Sequence, residues 1–207
     1  NGSSRGYNHI IFVGDSRTNR MQRTLQKLNS GYYESNLLRD IDFVYEEGKG
    51  LEWLKSQGMN TVLSIAEENY SVLKPTAVIF NLGVNDLSDH NTGNGVEYKG
   101  VANEYISYMN SLAEQLSESN CKLFYMSVNP VNTAMKPTRK EAQLRYFNDK
   151  LQSGLNGRFQ WIDTYKYLMK NGYSTYNAFK ENIDDGVHYS RRTYKRIYKY
   201  CLNIIKR

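Results

Sequence analysis

Short apolar runs alternate along this chain with longer amphipathic stretches, and that alternation constrains the fold more than any other feature. Residues 9–13, 41–45, 77–82, 122–128 and 159–162 have strand length and composition. Between them, residues 17–28 carry Met21, Leu25 and Leu28 at helical spacing, and residues 139–151 place Leu144, Phe147 and Leu151 on one face. Residues 51–55, 61–73 and 101–117 also read as helical, with a short helix expected at 165–169. Ser190 is a plausible N-cap for a terminal helix in which Tyr194, Ile197, Tyr198, Cys201 and Ile205 face the core. Strand and helix in regular alternation predict an α/β chain of three α/β/α layers around a central five-stranded, mainly parallel sheet. No internal repeat, low-complexity tract or linker interrupts it. One domain over residues 1–207 is expected, with residues 1–6 as a polar leader.

Composition agrees with a folded core. Hydrophobic residues at 40% and charged residues at 23% exclude a disordered or fibrous chain. No apolar run approaches the ~20 residues of a membrane-spanning helix. The net charge of +6 favours an acidic partner, such as nucleic acid, an anionic polymer or a membrane surface, without choosing among them. Seven basic residues and no acidic one fall within residues 191–207, which is most simply a solvated helix face. Cys121 and Cys201 are too few for a disulfide framework or a zinc site, although one bridge between them stays open. The helical spacing makes Cys201 a packed thiol. Eighteen tyrosines and many asparagines suit a secreted or cell-surface bacterial protein.

The strongest local signal is Val13-Gly14-Asp15-Ser16, placed where the first strand ends and the first helix begins. In open parallel sheets, ligands bind beyond the carboxyl ends of the strands, and a helix N-terminus there offers unpaired N–H groups to negative charge. A serine nucleophile needs a base, usually a histidine oriented by a carboxylate. His9 lies at the start of the first strand, away from Ser16, and His90 lies in the loop after the third strand. His188, in Asp185-Gly186-Val187-His188, has an aspartate three residues ahead, close enough for a turn to bring Asp185 onto the imidazole. The same cluster could ligate a metal, but no second histidine or cysteine lies near it in sequence. Oxyanion donors are available at two further strand ends. Gly50, with Gly48 as a competing choice, follows the second strand, and Asn85 in Gly83-Val84-Asn85-Asp86 follows the third. Glycine and asparagine are common in turns for other reasons, so the case rests on convergence at one sheet edge.

Taken together, these blocks resemble the SGNH, or GDSL-like, hydrolase family over essentially the whole chain. Gly14-Asp15-Ser16 stands in place of the first block, with Arg17 where the family name has Leu. Gly83-Val84-Asn85-Asp86 is similar to the third, and Asp185-Gly186-Val187-His188 to the last. The resemblance implies a flavodoxin-like layered fold. It also implies Ser16 as nucleophile and first oxyanion donor, Asp185 and His188 as its partners, and Asn85 and Gly50 as further donors. It implies ester hydrolysis through an acyl-enzyme, with neither metal nor organic cofactor. The expected partner is an ester substrate, with no nucleic acid.

The family does not fix which ester. No long apolar insertion suggests a lipid lid. Arg17 would put a cation near the site mouth, and Trp53 and Tyr189, with Tyr32, Tyr33, Tyr173 and Tyr176, could stack on sugar rings. The favoured expectation is removal of acetyl or another short acyl group from a carbohydrate. The alternatives are an O-acyltransferase with the same residues, a lysophospholipase or thioesterase, and a catalytically silent polymer-binding domain using its basic terminal helix.

Overall fold

The strands form where the apolar runs are densest. In the computed structural model, which describes residues 6–28, 38–88, 97–181 and 183–206, these are β1 (His9–Gly14), β2 (Ile41–Tyr45), β3 (Thr76–Asn81), β4 (Cys121–Met126) and β5 (Phe159–Ile162). They make one sheet in the order β2-β1-β3-β4-β5, and every neighbouring pair is parallel. The interior strands β1, β3 and β4 are almost wholly buried, whereas the edge strands β2 and β5 are mostly half-exposed. Strand β1 has β2 on one side and β3 on the other, so successive connections leave it in opposite directions. That reversal opens a crevice beyond the carboxyl ends of β1 and β3, where parallel sheets bind their ligands.

Helices cover both faces. They are α1 (Ser16–Leu28), α2 (Leu51–Trp53) running through a π-helical turn (Leu54–Gly58) into α3 (Met59–Glu68), α4 (Tyr98–Glu118), α5 (Glu141–Gly154), α6 (Thr164–Asn171) and α7 (Arg191–Ile205). The two-residue alternation of the strands sorts the core into two layers. Ile11, Val13, Val78 and Phe80 pack with Val62, Tyr105, Met109 and Phe147 of α3, α4 and α5. Ile10, Phe12, Ala77 and Ile79 pack with Met21 and Leu25 of α1 and with Leu168, Tyr194 and Ile197 of α6 and α7. Each large side chain buried in this way is worth about 1.5–3 kcal/mol relative to exposure.

Cys121 lies in the first layer and Cys201 in the second, both as free thiols with the sheet between them, so no bridge joins them. Burial pushes the Cys121 thiol up to about 11 and the Cys201 thiol higher.

Two helical expectations are corrected. The predicted helices 51–55 and 61–73 are one continuous run that ends at Glu68. The break vanishes because Gly58 sits beneath the Trp53 indole, where a Cβ would lie 2.9 Å from the ring. At the helix end, the Ile65 carbonyl accepts both the backbone N–H and the side-chain amide of Asn69. Val72 and Leu73, whose apolar character extended the prediction, are 78% and 92% exposed. At the far end, Ser190 accepts the Thr193 N–H and caps α7, as the sequence led us to expect. Arg196, one of the clustered basic residues, donates to the Asn171 and Gly172 carbonyls and so closes the C-terminus of α6. No described helix is long and apolar enough to cross a membrane. Tyr32, Tyr33, His90 and residues 1–5 lie outside the described residues.

Candidate active site

Strand β1 delivers Ser16 to the first position of α1, in the crevice between β1 and β3. Asp15 caps the helix by accepting the Arg17 N–H at 2.9 Å. Burial pushes the Asp15 carboxyl up to about 6, against the pull of the Arg17 charge and N–H. The Ser16 N–H belongs to the first helical turn, whose donors have no intrahelical acceptor.

His188 reaches the same point from the loop before α7. Its Nε2 lies 2.7 Å from Ser16 Oγ, and its Nδ1 lies 2.7 Å from Asp185 Oδ2. Asp185 also accepts the N–H groups of Val187 and His188 on Oδ1 and the Asn177 amide on Oδ2. Burial pushes the Asp185 carboxyl up, but these four donors outweigh it and hold it at about 2. An ionised Asp185 can only accept, so Nδ1 carries the ring proton and Nε2 presents its lone pair to the Ser16 hydroxyl. Burial lowers the His188 pKa, Asp185 opposes that shift, and the Arg20 and Arg17 charges add to it. The imidazole is therefore a neutral base at physiological pH.

The turn that makes this possible needs glycine. Gly186 has φ +77°, and a Cβ there would lie 2.7 Å from the Asn132 carbonyl oxygen. The Asn132 N–H in turn donates to the Gly186 carbonyl. The loop after β4 thus grips the histidine loop backbone to backbone.

Ser16 opens into a cleft of about 290 Å³ that it lines with Gly48, Asn85, Asp185, Val187 and His188. Four charged residues complete the described wall: Glu47, Lys136, Arg139 and Lys180. Asn85 stands four residues beyond β3. Its Nδ2 donates to the Lys49 carbonyl, and its Oδ1 accepts from Arg139 Nη2 at 3.3 Å. Because a guanidinium only donates, Arg139 settles which end of the Asn85 amide is oxygen. Arg139 is itself buried and fixed by the Val84 carbonyl and the Thr138 hydroxyl.

The two candidate glycines differ in their surroundings. Gly48 lines the cleft, with φ +72° and open space where a Cβ would stand. Gly50 is not among the lining residues, and a Cβ there would lie 2.2 Å from Asp86 Oδ2. Asp86 accepts the Leu51 N–H and the Tyr105 hydroxyl and so anchors the start of α2.

The three residues expected to touch substrate do not reach the cleft. Arg17 is 4% exposed, and its guanidinium donates to the carbonyls of Val187, Asn129 and Pro130 while lying 5.0 Å over the Tyr189 ring. A side chain at the second position of α1 points back under the strand ends rather than out of the crevice. Tyr189 is fully buried with its hydroxyl on the Pro130 carbonyl. Trp53 is core, at the edge of a separate hollow lined by Glu46, Lys49 and Glu52. His9 pairs with Asp42 at 2.6 Å, at the amino end of β1. Sequence reasoning missed Lys136, Arg139 and Lys180, which carry no local motif and reach the cleft only through tertiary folding. Among the described residues, no group of three or more His, Cys, Asp and Glu is placed to hold a metal ion.

A family model described as GDSL-like lipase/acylhydrolase matches residues 10–201. No curated protein matches the sequence. Among solved structures, an acetyl xylan esterase, AlAXEase, superposes with a TM-score of 0.66 at 16% identity, covering 95% of this chain and 99% of its own. A lipase/acylhydrolase from Enterococcus faecalis gives 0.58 at 14% identity, covering 96% and 95%. A catalytic mutant of Axe2, an acetylxylan esterase from Geobacillus stearothermophilus, gives 0.56 at 18% identity, covering 94% and 92%. At these identities the likeness is one of fold.

Proposed function

The chain belongs to the GDSL-like lipase/acylhydrolase family, and on that premise we propose that it is a serine esterase that removes acetyl or another short acyl group from a carbohydrate. The observation that carries the reading is the unbroken relay from Asp185 through His188 to Ser16, with both links at 2.7 Å. In this reading, Ser16 Oγ attacks the ester carbonyl as its proton passes to His188 Nε2. The tetrahedral oxyanion is met by the N–H groups of Ser16 and Gly48 and by the Asn85 amide. His188 then returns the proton to the leaving alkoxide. Water attacks the acyl-enzyme by the same route, with Asp185 stabilising the imidazolium in each half. Every proton is carried by side chains already in place.

Two observations support a short acyl group and a polar alcohol. Val187 is the one apolar side chain among the described residues lining the cleft, too little surface to hold a long acyl chain. Two of the solved structures similar in fold are acetyl xylan esterases.

The test is hydrolysis of a p-nitrophenyl ester series from acetyl to octanoyl, followed by release of acetate from acetylated xylan. Turnover confined to short chains, lost by at least ~10³-fold in Ser16→Ala at unchanged melting temperature, is the expected result. A preference for octanoyl would overturn the short-acyl assignment, and activity surviving in Ser16→Ala would overturn the nucleophile.

A further inference from the structure

Among the described residues that line it, the cleft carries more positive charge than its carboxylates neutralise. Of the acidic groups around it, Glu47 pairs with Arg20 and Asp185 pairs with His188. Asp184 is taken up by the Thr175 hydroxyl, the Gly186 N–H and the Asn132 amide. Glu181 follows Lys180 in the chain but is not among the residues that line the cleft. On the basic side, Arg139 is committed to Val84, Asn85 and Thr138. Lys136 and Lys180 are different. Both line the cleft, and neither makes an ion pair with a described carboxylate. They come from two separate loops, one after β4 and one between α6 and α7.

Their position relative to His188 says which part of a substrate they would meet. The Lys136 backbone packs on Gly186, two residues before His188, and Lys180 lies in the loop that leads to Asp185. The leaving alkoxide must take its proton from His188 Nε2, so the alcohol portion departs on the histidine side of Ser16. Two ammonium groups from the loops beside the histidine would therefore face the alcohol rather than the acyl group.

We infer that Lys136 and Lys180 select esters whose alcohol portion carries an anionic group, as an acylated sugar acid does. The inference rests on the esterase reading and adds the charge of its substrate. Lysine suits the task because its flexible point charge meets an anion without demanding one geometry. The gain is that of one or two partly screened ion pairs, about fivefold to tenfold in kcat/KM, and it falls as salt rises.

The probes are the acetyl ester of 3-(4-hydroxyphenyl)propanoate and that of the matching propanamide, which differ in charge while sharing the reacting phenol ester. The expected ratio of kcat/KM, carboxylate over carboxamide, is about five to ten in the unmodified protein, and about one in Lys136→Met/Lys180→Met. Taking the ratio within each protein cancels general damage to the site, and methionine keeps the aliphatic stem. A ratio near one in the unmodified protein would overturn the inference, as would a large ratio that survives the double substitution.

Binding gives a readout independent of turnover. Ser16→Ala protein should bind the product, 3-(4-hydroxyphenyl)propanoate, at least about fivefold more tightly than its amide, and the two lysine substitutions should abolish that difference. If neither ester is hydrolysed but this binding difference is present, the esterase reading fails and the anion site stands. If esters are hydrolysed and the binding difference is absent, the anion site fails and the esterase reading stands.

Discussion

Arg17 Nε donates to the carbonyl oxygen of Val187 at 2.9 Å, tying the residue after the serine to the residue before the histidine across 170 positions of sequence. The same guanidinium holds Asn129 and Pro130, so one buried cation fixes the loop after β4 and the loop before α7 against the start of α1. The 2.7 Å contact between Ser16 and His188 is thus held by their neighbours as well as by their own hydrogen bond.

Arg17→Ala removes three hydrogen bonds from a charged donor and leaves three carbonyls without it. A loss of about 3 kcal/mol or more in unfolding free energy is expected, together with a lower kcat as the histidine loop loosens. Arg17→Lys should recover little, because one ammonium cannot reproduce a planar fork. Urea unfolding and steady-state kinetics on both variants check this.

The activity should fall in acid below the ordinary histidine range. Burial lowers the His188 pKa below 6.5, so the neutral base persists under that value, and kcat/KM should drop as pH falls through the lowered pKa. The linked stability has the same sign, since the unfolded histidine binds its proton more readily than the folded one. Asp185, held at about 2 against an ordinary 3.8, adds stability that is present above 3.8 and lost as pH falls towards 2. A pH profile of kcat/KM for acetyl ester hydrolysis, with half-activity at or above pH 7, would contradict the assignment of His188.

Arg139→Met should lower kcat about tenfold while changing KM little, because it frees the Asn85 amide to turn its oxygen towards the developing oxyanion. Asn85→Ala should cost about 10²-fold or more, and the double variant no more than Asn85→Ala alone. Additive losses in that cycle would show that Arg139 acts through something other than Asn85.

Gly186→Ala places a methyl group 2.7 Å from the Asn132 oxygen at φ +77°, so the turn must open. The expected result is a lower melting temperature and a kcat reduced by at least about tenfold, since 1 Å of misplacement at a reacting group can cost ~10²-fold. Gly48→Ala, with open space around the residue, should cost less in stability.

Much of this was legible in the sequence because it is local. A strand-length apolar run followed by Gly14-Asp15-Ser16 fixes where the serine stands, and a three-residue separation lets Asp185 fold onto His188. Neither inference needs a distant partner. Arg17, Trp53 and Tyr189 were misplaced because adjacency to a site residue says nothing about side-chain direction. Successive residues at a helix start point to different sides, and all three turn into the core. That Gly48 lines the cleft, and that Asp86 occupies the space a side chain at Gly50 would need, depends on tertiary folding. Lys136, Arg139 and Lys180 left no signal, because they lie outside the helices and strands, and the loop that carries Lys136 and Arg139 meets the one that carries Lys180 only in the folded chain.

Ser16 opens the first helix and His188 stands just before the cap of the last, and those helices pack side by side on the same face of the sheet. During synthesis, the nucleophile would leave the ribosome long before its base. In the proposed reaction hydrolysis therefore requires α7 docked beside α1, and the ester turned over by a refolding sample counts the molecules in which that packing has formed.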